Sequence, residues 1–152
     1  MKYLPRHKIV LALLFFIPVF LLIVVFLRPI PYQSQIVLGN KLFTVEVVDT
    51  DKLLEHGLSG IDSLSLDSGM LFDLGSADRH GFWMKDMNFS IDIIWIDANW
   101  KVVHIEKSVS PETYPKVFYP QSPASYVLEI SAGQSAAIGL KAGDSVKLVE
   151  KP

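Results

Sequence analysis

The stretch Ile91-Asp92-Ile93-Ile94-Trp95-Ile96-Asp97 decides the fold class of this chain. Because side chains alternate between the two faces of a strand, Ile91, Ile93 and Trp95 share one face, and the opposite face carries isoleucine as well. Apolar side chains on both faces are typical of a central strand that is covered on both sides. The sequence therefore predicts a sheet with a buried middle strand.

Other short elements are expected on either side of this strand. Gln35–Leu38 and Lys41–Val48 flank Gly39-Asn40, a two-residue hairpin signal. Short helices are expected over Asp51–His56 and Gly133–Ile138. The remaining predicted strands are Met70–Phe72, Phe82–Met87, Lys101–Lys107, Ser125–Ser131 and Ser145–Glu150. Many short strands with two brief helices indicate a mainly β fold, a small antiparallel β-barrel or sandwich.

A separate apolar segment precedes this domain. From Ile9 to Leu27 no side chain is polar or charged, and as a helix the segment would extend about 28 Å, close to the ~30 Å hydrocarbon thickness of a bilayer. A cleaved signal peptide would have a shorter apolar run and a cleavage site of small residues, whereas this run ends in Arg28-Pro29. The chain is therefore predicted to comprise a cytoplasmic N-terminus (1–8), a transmembrane helix (9–27), a linker (28–34) and a β domain (35–150).

Charge and composition predict the cellular location of the protein and exclude several functions. Lys2, Arg6 and Lys8 precede the apolar segment, so the positive-inside rule predicts a single-pass protein of the cell membrane with its C-terminal domain outside the cytoplasm. The 152 residues include no cysteine, which excludes disulfides, a catalytic cysteine and a zinc-thiolate site. The net charge is −2 and the β domain has no basic cluster, so nucleic acid is not an expected partner.

Trp83, Lys85 and Asp86 form the most suggestive polar cluster. If Phe82–Met87 is a strand, Trp83 and Lys85 share one face, and a hairpin would bring Lys85 within reach of Asp92. One interpretation is a small pocket in which Trp83 stacks on a ligand and Lys85 holds an anionic or polar group. The other is a structural pair of Lys85 and Asp92, with Trp83 packed in the core.

A long irregular stretch, Pro111–Pro123, contains Tyr114, Phe118 and Tyr119 among four prolines. Long ordered loops often have a binding role. These aromatic side chains either bind a glycan or peptide by stacking, or cap one end of the barrel. The candidate ligand-binding residues are thus Trp83, Lys85, Asp86, Asp92, Tyr114 and Tyr119.

The sequence contains no recognised catalytic motif. Ser59 and Ser63 lack the G-x-S-x-G context of a nucleophilic serine. The histidines show neither H-x-H nor H-E-x-x-H spacing, so no metal site and no cofactor are expected.

Five ordered blocks together resemble the DUF192 family, also called UPF0127. The blocks are Gly57–Leu64 with Gly69–Phe72, Phe82–Lys85, Ile91–Asp97, Tyr126–Glu129 and Gly139–Asp144. The resemblance spans Gln35 to Glu150 and omits the apolar segment. It implies a small, mostly antiparallel β fold and no established reaction, substrate or cofactor, so it supplies no catalytic residues.

The chain departs from the family pattern at several positions. Ile61 stands where the family often has arginine, and Asp86 and Met87 stand where it often has asparagine and threonine. Ser90 replaces a common proline. If the arginine and asparagine form a polar site in other members, that site is altered or absent in this chain.

Two classes of function stay open. The first is a membrane-tethered binding or accessory domain that contacts an envelope component or a neighbouring membrane protein. The second is a hydrolase-like enzyme of the envelope built around Lys85, Asp86 and Asp92. Convergence of these three side chains in one pocket would favour the enzyme, whereas a filled core behind Trp83 would favour a binding or structural role.

Overall fold

The computed structural model describes residues 32–149, and this part of the chain contains seven strands, two α-helices and one 3-10 turn. The strands are β1 Tyr32–Leu38, β2 Lys41–Val48, β3 Ser68–Asp78, β4 Ile91–Ile96, β5 Val102–Val109, β6 Ala124–Ser131 and β7 Val146–Val149. The helices are α1 Asp51–His56 and α2 Gln134–Ala137, and the 3-10 turn is Pro111–Thr113.

The predicted transmembrane helix (9–27), the N-terminus before it and most of the linker lie outside the described residues. Neither of the two helices within residues 32–149 has the length and hydrophobicity needed to cross a bilayer.

All seven strands belong to one sheet with the order β5-β4-β6-β3-β2-β1-β7. Its neighbouring strands are antiparallel except β2 and β3, whose connection through α1 provides the crossover that a parallel pair needs. The two edge strands meet at one end, where Val102 N donates to Asp144 O (3.0 Å) and Val146 N donates to Trp100 O (2.8 Å). The fold is therefore mainly β, as predicted, and is a sheet curled into a half-barrel.

Strand β4 has the two-sided burial that its sequence predicts, since all six of its residues are buried. Ile94 and Ile96 join a core cluster to which all seven strands contribute, as expected for the inside of a curled sheet. Ile91, Ile93 and Trp95 join a second cluster on the other face. This outer face is covered by α1, by the β3–β4 connection and by the segment around Phe118.

The local predictions were mostly accurate, with one clear error. The hairpin at Gly39-Asn40 and helix Asp51–His56 are confirmed. The predicted strand Phe82–Met87 is wrong, because only Phe82 forms a β-bridge, with Phe118. The chain then turns: Asp86 has φ +55°, a left-handed conformation that interrupts a strand.

Candidate ligand-binding site

A cavity of about 330 Å³ lies on the outer face of the sheet. Strands β3 and β6 form its floor through Phe72, Leu74 and Glu129, and the end of α1 with the following loop forms one wall. The opposite wall is the segment between His80 and Met87. This volume is near the lower end of the range for small-molecule sites, which are mostly apolar with a few polar groups.

Gly57 allows the first wall to approach the floor. It ends α1 with φ +50° and ψ −135°, a conformation that residues other than glycine rarely adopt. A Cβ at this position would lie 3.3 Å from Cζ of Phe72. The glycine that the sequence places after the helix therefore both terminates α1 and leaves room over Phe72.

Two hydrogen bonds tie the walls together. The Ser59 hydroxyl donates to the carbonyl of Lys85 (2.9 Å), and Gly60 N donates to the carbonyl of Asp86 (2.8 Å). The loop after α1 and the turn at 85–86 are thus held in a fixed relation, so the cavity mouth is largely preformed.

The second wall is fixed by aromatic contacts and backbone pairing. Phe82 packs edge-on against Phe72 (5.0 Å between centroids) and against Trp95 (6.1 Å). The Trp95 indole N–H donates to the carbonyl of His80 (3.0 Å), and Phe82 and Phe118 exchange two backbone hydrogen bonds. These contacts hold the apolar wall of the cavity against the sheet.

Glu129 is the most unusual residue of the cavity. It lies in the middle of β6, opposite Met70 of β3 and Ile93 of β4, and it is 4% exposed. Within residues 32–149 its carboxylate has neither a hydrogen-bond donor nor a cation as partner. Burial raises the pKa of Glu129 from 4.5 to about 8, because desolvation disfavours the charged form.

Of the predicted site residues, Trp83 and Lys85 line this cavity. Trp83 is 45% exposed, so it belongs to the cavity mouth and is not packed in the core. Asp86 lines an adjacent shallow depression that also contains Lys52. Lys85 borders both spaces, so these three predicted residues form one continuous surface.

Asp92 has a different role from the one predicted. It is fully buried, and its carboxylate accepts hydrogen bonds from the backbone N–H groups of Ser108 (2.8 Å), Gly133 (3.1 Å) and Ser135 (2.9 Å). No salt bridge to Lys85 is found in the described part of the chain. The expected cross-strand pair is therefore wrong, because residues 83–87 do not form the strand that would have placed Lys85 opposite Asp92.

The two predicted tyrosines are exposed and do not line the cavity. Tyr119 packs against Gly81, where an added Cβ would lie 2.6 Å from its ring, so it supports the cavity wall from behind. Tyr114 follows the 3-10 turn. Tyr119 and Phe118 of the irregular segment thus support the cavity wall, and Phe118 is the buried member of the pair.

Sequence reasoning missed Glu129 as a site residue, although it lies in one of the blocks that carry the family resemblance. The available signal was a single charged residue within the otherwise apolar run Val127–Ile130. A charge at such a position in a central strand is costly to bury, because the strand is covered on both faces. His56 and His80 also line the cavity.

The described residues contain no group of three or more His, Asp or Glu side chains that could hold a metal ion. His104 and Glu106 lie side by side on β5, with His104 Nε2 3.2 Å from Glu106 Oε1. They form a local pair without a third ligand.

Comparison with known proteins gives consistent matches. The profile of the DUF192 family, described as uncharacterized ACR, matches residues 34–148. The UPF0127 protein PH1112 of Pyrococcus horikoshii is 32% identical over 72 residues, which are 47% of this chain and 56% of that protein. The match thus spans little more than half the length of this relative.

Two crystal structures share the fold. A putative transcription regulator from Sinorhizobium meliloti has a TM-score of 0.72 and 24% identity, covering 78% of this chain and 95% of that one. A protein of unknown function from Novosphingobium aromaticivorans has a TM-score of 0.70 and 26% identity, covering 77% and 84%. Fold likeness at this level carries no function.

Proposed function

Since the chain belongs to the DUF192 family, whose description assigns no activity, we propose a function from the site itself: the β domain is a small-molecule-binding module, tethered outside the cytoplasm by the apolar segment 9–27. One observation carries the binding proposal. The Glu129 carboxylate is buried at the cavity floor, and residues 32–149 offer it no partner.

An ionisable group in this situation lowers the stability of the folded chain, because desolvation is not offset by hydrogen bonds. Residues that reduce stability are typical of functional sites, where binding supplies the missing interaction. The floor supplies apolar contact through Phe72, and the second wall supplies it through Phe82 and Trp83. A ligand with an apolar body and one polar end would match both features.

The alternative of a hydrolase-like enzyme requires Lys85, Asp86 and Asp92 to converge. Lys85 and Asp86 share the surface at the cavity mouth. Asp92 is directed instead towards three backbone N–H groups, which occupy both of its carboxylate oxygens. The arrangement therefore favours binding over this form of catalysis.

Membrane tethering is supported by the sequence of residues 9–27 and by the basic residues that precede them. Alkaline phosphatase fused after Pro152 should be active in cells, whereas the same enzyme fused before Met1 of the full chain should be inactive. The reverse pattern would contradict the proposed orientation, and release of the full-length chain from membranes by carbonate would contradict the anchor.

Binding is testable through the methionines of the full chain in detergent micelles. Met87 lines the cavity, and Met1 serves as a reporter of nonspecific effects. With ¹³C-methyl methionine, a library of neutral, cationic and anionic fragments should include compounds that shift the Met87 signal saturably and leave Met1 unchanged.

Leu74→Trp, which fills the cavity, should abolish these shifts. Leu42→Trp at an exposed position elsewhere on the sheet should retain them. The absence of any saturable shift at Met87 would contradict the binding function.

A further inference from the structure

We propose that the ligand of this cavity is an organic amine, whose protonated nitrogen binds the Glu129 carboxylate while its hydrocarbon or aromatic body lies against Phe72, Phe82 and Trp83. This inference rests on the proposed binding function and specifies the ligand class. Three features support it: the position of Glu129, the distribution of charge around it, and the chemistry of the cavity lining.

The position of Glu129 leaves its side chain without partners from the fold. Strand β6 is paired on both sides, with β3 and with β4, so the neighbouring backbone N–H groups are used in the sheet. The residues opposite Glu129 are Met70 and Ile93, which have no hydrogen to donate from their side chains. A hydrogen-bond donor for the carboxylate can therefore come from a molecule bound in the cavity.

The titratable groups that line the cavity with Glu129 are Glu55 and His56 from α1 and His80 and Lys85 from the opposite wall. Glu55, His56 and Lys85 also line the adjacent depression, which places them at the mouth. His80 Nε2 lies 3.0 Å from the carbonyl of Ser76, and this contact engages its ring. No cation of residues 32–149 lies within salt-bridge distance of Glu129.

A ligand that binds the ionised form of Glu129 must therefore bring the compensating charge or a hydrogen-bond donor. A protonated amine supplies both, and charge-assisted hydrogen bonds to a buried carboxylate are about twice as strong as neutral ones. An anion would be disfavoured beside the ionised carboxylate. The aromatic faces of Phe72, Phe82 and Trp83 also attract cations, which a hydrocarbon wall would not do.

Burial raises the pKa of Glu129 to about 8, so near neutral pH the empty site is largely protonated. An amine cation binds the ionised form and displaces this proton. Its affinity should thus rise as the pH increases from 6 to 8. A neutral ligand that accepts a hydrogen bond from the protonated acid would show the opposite trend.

The test uses the full chain in detergent micelles with ¹³C-methyl methionine and three probes of one shape: benzylamine, benzyl alcohol and benzoate. We expect benzylamine at pH 8 to shift Met87 with an affinity about tenfold higher than that of benzyl alcohol. Glu129→Gln should remove this preference, and Glu112→Gln, which replaces an exposed carboxylate away from the cavity, should retain it.

The outcomes separate the two proposals. Equal affinities for benzylamine and benzyl alcohol, or a preference for benzoate, would overturn the amine inference and leave the binding function intact. A fragment library without any cavity ligand would overturn the binding function itself. If Glu129→Gln does not fold, the rise of benzylamine affinity between pH 6 and 8 in the wild-type chain decides the question alone, because a flat or falling profile would overturn the inference.

Discussion

Asp92 and Glu129 are carboxylates buried in the same sheet, and they differ in almost every other respect. Asp92 is 0% exposed and Glu129 is 4% exposed. Asp92 accepts three backbone hydrogen bonds, whereas Glu129 has no partner among residues 32–149 and faces a cavity. Burial alone therefore does not distinguish a structural carboxylate from one available for binding. What distinguishes the two carboxylates is whether N–H groups nearby donate hydrogen bonds to them.

The difference in donors has its origin in the position of each residue along its strand. Asp92 lies near the start of β4, beside the turn that leads into α2, where the N–H groups of Gly133 and Ser135 are not used by the sheet. The first N–H groups of a helix lack partners within the helix, so they are available to Asp92. Glu129 lies in the middle of a strand that is paired on both sides, and no backbone N–H group of residues 32–149 donates to its carboxylate.

The largest expected effect concerns the pH dependence of stability at Glu129. Its pKa is about 8 in the folded chain and 4.5 as the reference value, so between these values the folded state binds more protons than the unfolded state, and stability falls as the pH rises. Each pKa unit corresponds to about 1.4 kcal/mol. Relative to Glu129→Gln, the wild-type chain should lose on the order of 5 kcal/mol of unfolding free energy between a pH well below 4.5 and a pH well above 8.

Urea denaturation of both chains at a series of pH values measures this loss as a difference, in which all other titrating groups cancel. Above pH 8 the difference should become constant, and below pH 4.5 it should approach zero. If the free energies of unfolding of the two chains ran parallel over the whole pH range, the Glu129 carboxylate would have a hydrogen-bond donor or a cation as partner in the folded chain. The contrast with Asp92 would then disappear.

The next effect concerns Asp92. Asp92→Ala removes the acceptor of three backbone N–H groups and should lower the free energy of unfolding by about 3–5 kcal/mol. Asp92→Asn retains one carbonyl oxygen, so it can keep the bonds from Ser108 and Gly133 and loses the one from Ser135. It should therefore be less destabilising than the alanine variant. Equal and small losses in both variants, measured by urea denaturation at pH 7, would show that these hydrogen bonds do not stabilise the fold.

The sequence predicted most of the sheet because its signals are local. The alternation in Phe43–Val48, the glycine after Leu38 and the two-sided apolar pattern of Ile91–Ile96 each act within a few residues. The strand order could not be predicted, since β2 and β3 become parallel neighbours through a crossover. The sequence gives no measure of such a long-range contact.

The site was predicted in part for the same reason. Trp83, Lys85 and Asp86 are close in sequence and stay close in the fold. Asp92 was assigned to the wrong partner because Asp86 takes a left-handed conformation and the expected hairpin does not form. Glu129 was missed because its importance depends on a cavity between β6, α1 and residues 80–87, elements far apart along the chain.

The smallest expected effect is at Lys85, and it tests whether the comparison of the two carboxylates is complete. Lys85 is exposed and forms no salt bridge within residues 32–149, so Lys85→Met should change the free energy of unfolding by less than about 0.5 kcal/mol. The pH dependence attributed to Glu129 should also persist in this variant, because no lysine of residues 32–149 lies within salt-bridge distance of that carboxylate. Urea denaturation of Lys85→Met beside the wild-type chain at pH 5 and pH 8 measures both quantities. A steeper loss of stability towards pH 8 in the variant would show that Lys85 stabilises ionised Glu129 across the cavity, and the binding site would then carry its own cation.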